Sequence, residues 1–124
     1  MATTHASTAV AYLDALKIGD PAAVAVLLAA DASYRVLGWH EPIEGRDAIQ
    51  AEMERQFTII SDFDYEIVGS ALDGSLLFAQ HQDWFTMNGQ RVQTHVVSVF
   101  DVGGDGLIRS VRDYWDSAEV AAQV

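Results

Sequence analysis

A chain of 124 residues, half of them hydrophobic, supports one compact domain over residues 1–124 with a real but modest core, and leaves no length for a second. Eighteen acidic against seven basic residues give a net charge of -11, which repels phosphate backbones and anionic lipid surfaces, so neither nucleic acid nor membrane is expected as a partner. Cysteine is absent, which excludes disulfides, thiolate nucleophiles and cysteine metal sites. No apolar run approaches the roughly 18 residues that span a bilayer, and no charged-then-apolar leader opens the chain, so a cytoplasmic protein is expected.

Ala6, Val10, Leu13 and Leu16 recur at spacings of three and four and predict an amphipathic helix that Gly19-Asp20-Pro21 ends. Asp20 then caps a second helix, with Pro21 in its first turn and Val24, Leu27 and Leu28 as its buried stripe, before a short strand over Ser33 to Leu37. Gly38 to Gly45 reads as a loop carrying Trp39, His40 and Pro42. It leads into a third helix with Ile49, Met53, Phe57 and Ile60 on one face, ending near Ser61. From Asp62 the period changes to two, with Phe63, Tyr65 and Ile67 alternating against their neighbours until Asp73-Gly74 signals a turn. Leu76 to Met87 and Gln90 to Val102 flank Asn88-Gly89, the strongest short hairpin signal, and Gly103 to Gly106 joins the second of these strands to a last one, Leu107 to Asp116. A short helix or frayed end follows from Ser117. Helices first and a meander afterwards predict an α+β fold, with helices on one face of a mainly antiparallel sheet.

The turns set a register. A two-residue turn at Asn88-Gly89 pairs Met87 with Gln90, and counting back sets Asp83 opposite Thr94 and His81 opposite Val96. If the loop at Gly103 to Gly106 pairs Val102 with Leu107, Ser98 falls opposite Val111, Val96 opposite Asp113 and Thr94 opposite Trp115. Asp113 then shares a face with His81, Asp83, Leu77, Ala79, Phe85, Val92, Val96, Val111 and Trp115, the face the helices cover. His81 and Asp113 are expected roughly 10 Å apart with Val96 between them. Two carboxylates in one apolar pocket are what paired acid and base chemistry needs, provided their surroundings separate their pKa values. The outer face, with Phe78, Trp84, Val97, Val99 and Tyr114, is too apolar for an open surface and predicts a homodimer. His95 alternates to that face, and His5 lies near the chain start.

Gly45-Arg46-Asp47-Ala48-Ile49 ahead of the third helix and Arg112-Asp113-Tyr114-Trp115-Asp116 on the last strand carry a family likeness. With them the chain resembles the limonene-1,2-epoxide hydrolase branch of the superfamily with the nuclear transport factor 2 (NTF2-like) fold. That superfamily also holds ketosteroid isomerase and the SnoaL-type polyketide cyclases. The resemblance spans most of the chain and implies an NTF2-like cone, whose curved, mainly antiparallel sheet carries its helices on the concave face. In the epoxide hydrolases an Arg-X-Asp joins the aspartate of the final Arg-Asp-aromatic-aromatic-Asp motif; one aspartate activates water and the other protonates the epoxide oxygen. By position Asp113 corresponds to the base and Asp83 to the acid, while His81 stands in the arginine's place and aligns both. The family's water-holding Tyr-X-Asn is matched by Tyr34, with Val36 in place of the asparagine.

Tyr12, Asn88-Gly89-Gln90 and Tyr114-Trp115 are also similar to ketosteroid isomerase, with Ser98 in the place of its oxyanion-binding aspartic acid. SnoaL-type cyclases use a histidine and an aspartate in a comparable pocket. The resemblance therefore implies a cofactor-free acid/base enzyme on a small, largely apolar metabolite, an epoxide-hydrolase-like hydrolase first, an isomerase or cyclase second; with no second histidine beside His81, Asp83 and Asp113 on their face, no metal site is expected. A binding module without catalysis is the remaining alternative. Catalytic roles fall to Asp113, Asp83 and His81. Tyr12, Tyr34, Trp39, His40, Phe57, Phe85, Val96, Ser98, Val111 and Trp115 are the expected substrate contacts.

Overall fold

The computed structural model describes the backbone from residue 2 and side chains from residue 7, each through residue 124. Helix α1 (Ala2–Ile18) buries Ala9, Tyr12, Leu13 and Ala15. Val10, predicted on the buried stripe, is exposed, because the inward face of the helix runs through Ala9, Tyr12 and Leu13 and Val10 lies to one side of it. Ala6 and His5 lie outside the described side chains. Asp20 caps α2 (Pro21–Ala25) by accepting from the Ala22 N–H at 3.0 Å, as its side-chain type favours. That helix stops sooner than its apolar pattern suggested. Leu27 lies in the turn that follows, and Leu28 opens strand β1 (Leu28–Val36), where it pairs with Ile108. A short apolar run does not distinguish a helix stripe from a buried strand, and tertiary pairing decided this one.

The predicted loop holds a two-residue strand β2 (Ile43–Glu44) on β1, and α3 (Arg46–Gln56) buries Ile49 and Met53. Phe57 is its C-cap, and Ile60 belongs to β3 (Ile60–Asp73) rather than to the helix. Strands β4 (Leu76–Met87) and β5 (Gln90–Val102) have the predicted bounds; β6 (Ile108–Tyr114) and α4 (Ser117–Ala121) complete the chain. The fold is α+β: a curved sheet in the order β2-β1-β6-β5-β4-β3, antiparallel except for the β1–β6 pair. Irregularities at Ser61/Asp64 and Ile67/Gly69 in β3 and at Arg109 in β6, between the Asp101 and Val102 pairings, break the ladder, and such bulges bend a sheet. The main core cluster joins α1 to the inner face through Tyr12, Leu13, Leu77, Ala79, Phe100 and Val111. Tyr12 meets Phe100 edge-on with ring centroids 5.2 Å apart.

The two hairpins treat the predicted register differently. Asn88 and Gly89 both take positive φ, 53° and 74°, the type I′ geometry of a two-residue hairpin, and Met87↔Gln90, Asp83↔Thr94 and His81↔Val96 pair as counted. Between β5 and β6 the count is off by two. The turn spans five residues, with the Gly103 N–H bonded to the Leu107 carbonyl, so Val102 meets Ile108; Arg109 is then extra, so Asp101 meets Ser110. Ser98 therefore lies opposite Asp113, and Phe100 rather than Ser98 opposite Val111. A slip of one would have turned Asp113 outward, whereas a slip of two keeps it on the inner face.

Candidate active site

Asp113 is held at the junction of three strands. Its carbonyl accepts from the Leu37 N–H at 2.8 Å, just beyond the β1 pairing, and its other side faces β5 through the Ser98 pairing. One carboxylate oxygen, Oδ1, accepts from the Ser98 hydroxyl at 2.6 Å, while Oδ2 lies 3.4 Å from the Tyr34 hydroxyl, which donates to it. Behind Ser98 stands His81, with Nε2 2.9 Å from Ser98 Oγ and Nδ1 2.6 Å from Asp83 Oδ1. Asp83, His81, Ser98 and Asp113 thus form one unbroken chain of hydrogen bonds. The sequence count put Val96 between His81 and Asp113; the two-residue slip puts Ser98 there instead.

The protons along this chain can be assigned by counting donors. With Asp113 ionised, Ser98 spends its single proton on that carboxylate, so it accepts from His81, and Nε2 carries hydrogen. Nδ1 and Asp83 Oδ1 then share one proton on the line between them, because two bare acceptors do not approach to 2.6 Å. Both ring nitrogens of His81 are thereby engaged, and neither is free to ligate a metal or to meet substrate.

Both carboxylates face a cavity of about 360 Å³, close to the lower end of the roughly 300–1,000 Å³ typical of small-molecule sites. Burial pushes the Asp113 carboxyl up to about 6; the Ser98 hydrogen bond and His81 pull it down, while Asp83 adds to the rise. Burial likewise pushes Asp83 up, against its bond to His81. Tyr12 and Tyr34, also on the cavity wall, are pushed well above the ordinary tyrosine value by burial first and by neighbouring acids next, so both phenols stay protonated and able to donate. The titratable groups around Asp113 therefore come from α1 (Tyr12), β1 (Tyr34) and β4 (His81, Asp83).

Of the predicted substrate contacts, Tyr12, Tyr34, Trp39, Phe57, Phe85, Val96 and Trp115 do line the cavity. Trp39 packs edge-on against Tyr34 at 5.4 Å. Three of the predicted contacts do not line it. His40 is exposed on the loop, Val111 is buried in the core, and Ser98 is sealed behind Asp113, as His81 is behind Asp83. The sequence reading missed Leu16, Met53, Gln56, Ile60, Thr94 and Val120 as wall residues. Met53 and Ile60 had been read as one helix stripe, and Val120 sits on the short terminal helix; which of these faces the cavity depends on helix placement rather than local pattern. Thr94 alone carried a signal, since it shares the Asp83 register position.

An inward-curving sheet closed by helices, with acids at its floor, defines an NTF2-like pocket protein. Within that class the chain belongs to the SnoaL-like domain family, whose sequence profile matches residues 9–111. Among solved structures it is similar to an LEH-like epoxide hydrolase of M. tuberculosis, at 28% identity and a TM-score of 0.82, covering 97% of this chain and 88% of that one. A Catenulispora acidiphila protein with a ketosteroid isomerase-like fold, in complex with trimethylamine, gives a TM-score of 0.86 at 21% identity, covering 94% and 90%. SalBIII, an epoxide hydrolase/cyclase-like enzyme of pyran ring formation in salinomycin, gives 0.82 at 21%, covering 94% of each chain. No curated protein matches the chain in sequence.

Proposed function

We propose that the protein is a cofactor-free hydrolase that opens the epoxide ring of a small, largely apolar metabolite. The observation that carries this reading is the pair of buried carboxylates, Asp83 and Asp113, facing one cavity whose walls are otherwise mostly aromatic and aliphatic. Asp113 and the Tyr34 hydroxyl hold a water molecule; Asp113 takes its proton as the water oxygen attacks a ring carbon. The carbon–oxygen bond of the ring breaks, Asp83 gives its proton to the released oxygen, and a vicinal diol leaves. A carboxyl near 6 is ionised at neutral pH yet more basic than an ordinary aspartate, which suits the first role. The M. tuberculosis LEH-like epoxide hydrolase supports the same reading. Diol formation from limonene oxide and related epoxides tests it. Turnover by the wild type that Asp113→Asn removes is expected, and hydrolysis indifferent to that substitution would overturn it.

A second reading is favoured by Tyr12 and Tyr34, two protonated phenols beside the acids, which can donate to an enolate oxygen. In that isomerase or cyclase, Asp113 or Asp83 removes a proton next to a carbonyl. Deuterium uptake from solvent at a substrate carbon separates the two, since ring opening exchanges no carbon-bound hydrogen.

The active unit in this proposal is a homodimer joined through the outer sheet face. Phe78, Val97 and Tyr114 are exposed there, while Val99, expected to be exposed, is buried between its cross-strand neighbours Phe78 and Arg112. The same face carries a buried Asp101 Oδ1 with no hydrogen-bond partner among the described residues, and Arg35 and Arg112 side by side, so a second copy supplies both apolar cover and opposite charge. Light scattering on wild type and Val97→Glu checks it; a monomeric wild type would refute the dimer.

A further inference from the structure

Gln56 ends α3 on the cavity wall, and the ring opening described above gives it no part. Its amide nitrogen donates to Glu52 Oε2 at 2.8 Å. Arg55 holds the same carboxylate in a fork, with Nε 2.9 Å from Oε1 and Nη2 2.6 Å from Oε2. A carboxylate only accepts, so Glu52 fixes which way the amide faces, nitrogen inward to it. The same side chain bonds to the Tyr34 hydroxyl, where it offsets part of what burial and then Asp113 do to that phenol; an effect of that sign marks Gln56 as the donor. We propose that Gln56 is a positioning residue for the attacking water: anchored by Glu52, it commits the Tyr34 proton to Asp113, so that the Tyr34 oxygen and the carboxylate both accept from the water. This deepens the hydrolase reading and rests on Asp113 being its base.

A phenol proton turns to whichever acceptor is nearest, and the Tyr34–Asp113 contact of 3.4 Å is too long to hold it unaided. With a donor at one side and a carboxylate at the other, a single orientation satisfies both: Tyr34 accepts from Gln56 and donates to Asp113. Each Asp113 oxygen then carries one hydroxyl, Ser98 on Oδ1 and Tyr34 on Oδ2, and both bonds favour the ionised form the base needs. A water between Tyr34 and Asp113 meets two acceptors and gives each a hydrogen, which leaves its lone pairs for the ring carbon. Without Gln56 the Tyr34 hydroxyl is free to turn and donate to that water, occupying a lone pair that the attack requires. The order of donors, Arg55 and Gln56 to Glu52, Gln56 to Tyr34, Tyr34 to Asp113, ties α3 to β1 and β6.

The link is read out with and without substrate. In a nuclear magnetic resonance titration of isotope-labelled aspartate carboxyl carbons, Gln56→Leu moves the Asp113 midpoint to higher pH, as Tyr34→Phe does, and the double variant goes no further than Tyr34→Phe alone. Glu52→Gln removes the anchor from outside the cavity and gives a smaller rise of the same sign. In steady-state hydrolysis of limonene oxide, Gln56→Leu lowers kcat by about tenfold with KM little changed, and the acid limb of its rate profile moves up in pH with the Asp113 midpoint. An Asp113 midpoint that Gln56→Leu leaves in place would overturn the proposal, and so would shifts from Gln56→Leu and Tyr34→Phe that simply add. A midpoint that moves as expected in a protein that forms no diol would keep the link and refute the assigned reaction instead. Should Gln56→Leu fail to fold, Glu52→Gln decides, and an Asp113 midpoint unmoved by it would equally overturn the proposal.

Discussion

Two histidines in this protein make nearly the same contact and serve opposite ends. His81 sets Nδ1 2.6 Å from Asp83 on the inner face; His95 sets Nδ1 2.7 Å from Glu119 outside. Glu119 also accepts from the His95 N–H and the Thr94 hydroxyl, and these bonds hold its carboxyl below the usual glutamate value. Asp83, with a comparable partner, is pushed up, because what it loses in hydration outweighs what His81 returns. Contact chemistry alone therefore does not make a carboxylate a reagent. The missing water does.

That contrast can be broken by experiment. The largest expected effect is on turnover: Asp113→Asn is expected to lower epoxide hydrolysis by about 10²- to 10⁴-fold, the usual worth of a positioned base, whereas Glu119→Gln leaves the rate within a few-fold. Next is stability. His81→Ala leaves Asp83 without its partner in a buried position and is expected to cost about 3 kcal/mol in urea unfolding, against no more than about 0.5 kcal/mol for the exposed His95→Ala. Equal losses would end the comparison.

Third, an aspartate whose folded pKa lies near 6, above its unfolded value near 4, makes the folded state bind more protons across that window. Its charge thus opposes folding at neutral pH, and Asp113→Asn is expected to stabilise the protein by roughly 2 kcal/mol at pH 7, a gain that disappears below about pH 4. Unfolding curves at the two pH values check this, and a destabilised variant at neutral pH would contradict it. Smallest is Glu119→Gln. With its folded pKa lowered, Glu119 stabilises above its unfolded pKa and loses that contribution as pH falls through the folded value; the neutral-pH loss is expected to stay under about 1 kcal/mol and to shrink with added salt.

What could be read beforehand divides along the same lines as the turns. Asn88-Gly89 dictates its own backbone geometry, so the β4–β5 register, and with it His81 and Asp83 on one face, followed from two residues. The glycine-rich loop before β6 dictates nothing comparable. Its fifth residue and the extra Arg109 shifted the pairing by two, and that shift set Ser98 against Asp113. Asp113 stayed inward because the two errors summed to an even number. Ser98 was singled out as a substrate contact, yet its neighbours His81 and Asp113 come from two other strands, and only the true register brings them to it. Gln56 and Val120 were invisible for another reason: a helix residue's place on a cavity wall depends on how the whole helix lies across the sheet.

Strand β6 covers β5 only from Val97 onward, which leaves the first half of β5 without a neighbour on that side. Helix α4 occupies the gap. Gln123 accepts from the Gln93 N–H at 2.9 Å and donates to the Gln93 carbonyl at 2.7 Å, while Glu119 takes the His95 N–H. Side chains thus occupy the ladder positions where a foreign strand would otherwise dock. A variant that loosens α4 would uncover a bare strand edge beside the apolar Val92 and Val96, the sort of template on which chains stack into aggregates. The five-residue helix that helps wall the pocket is also what keeps the sheet from growing.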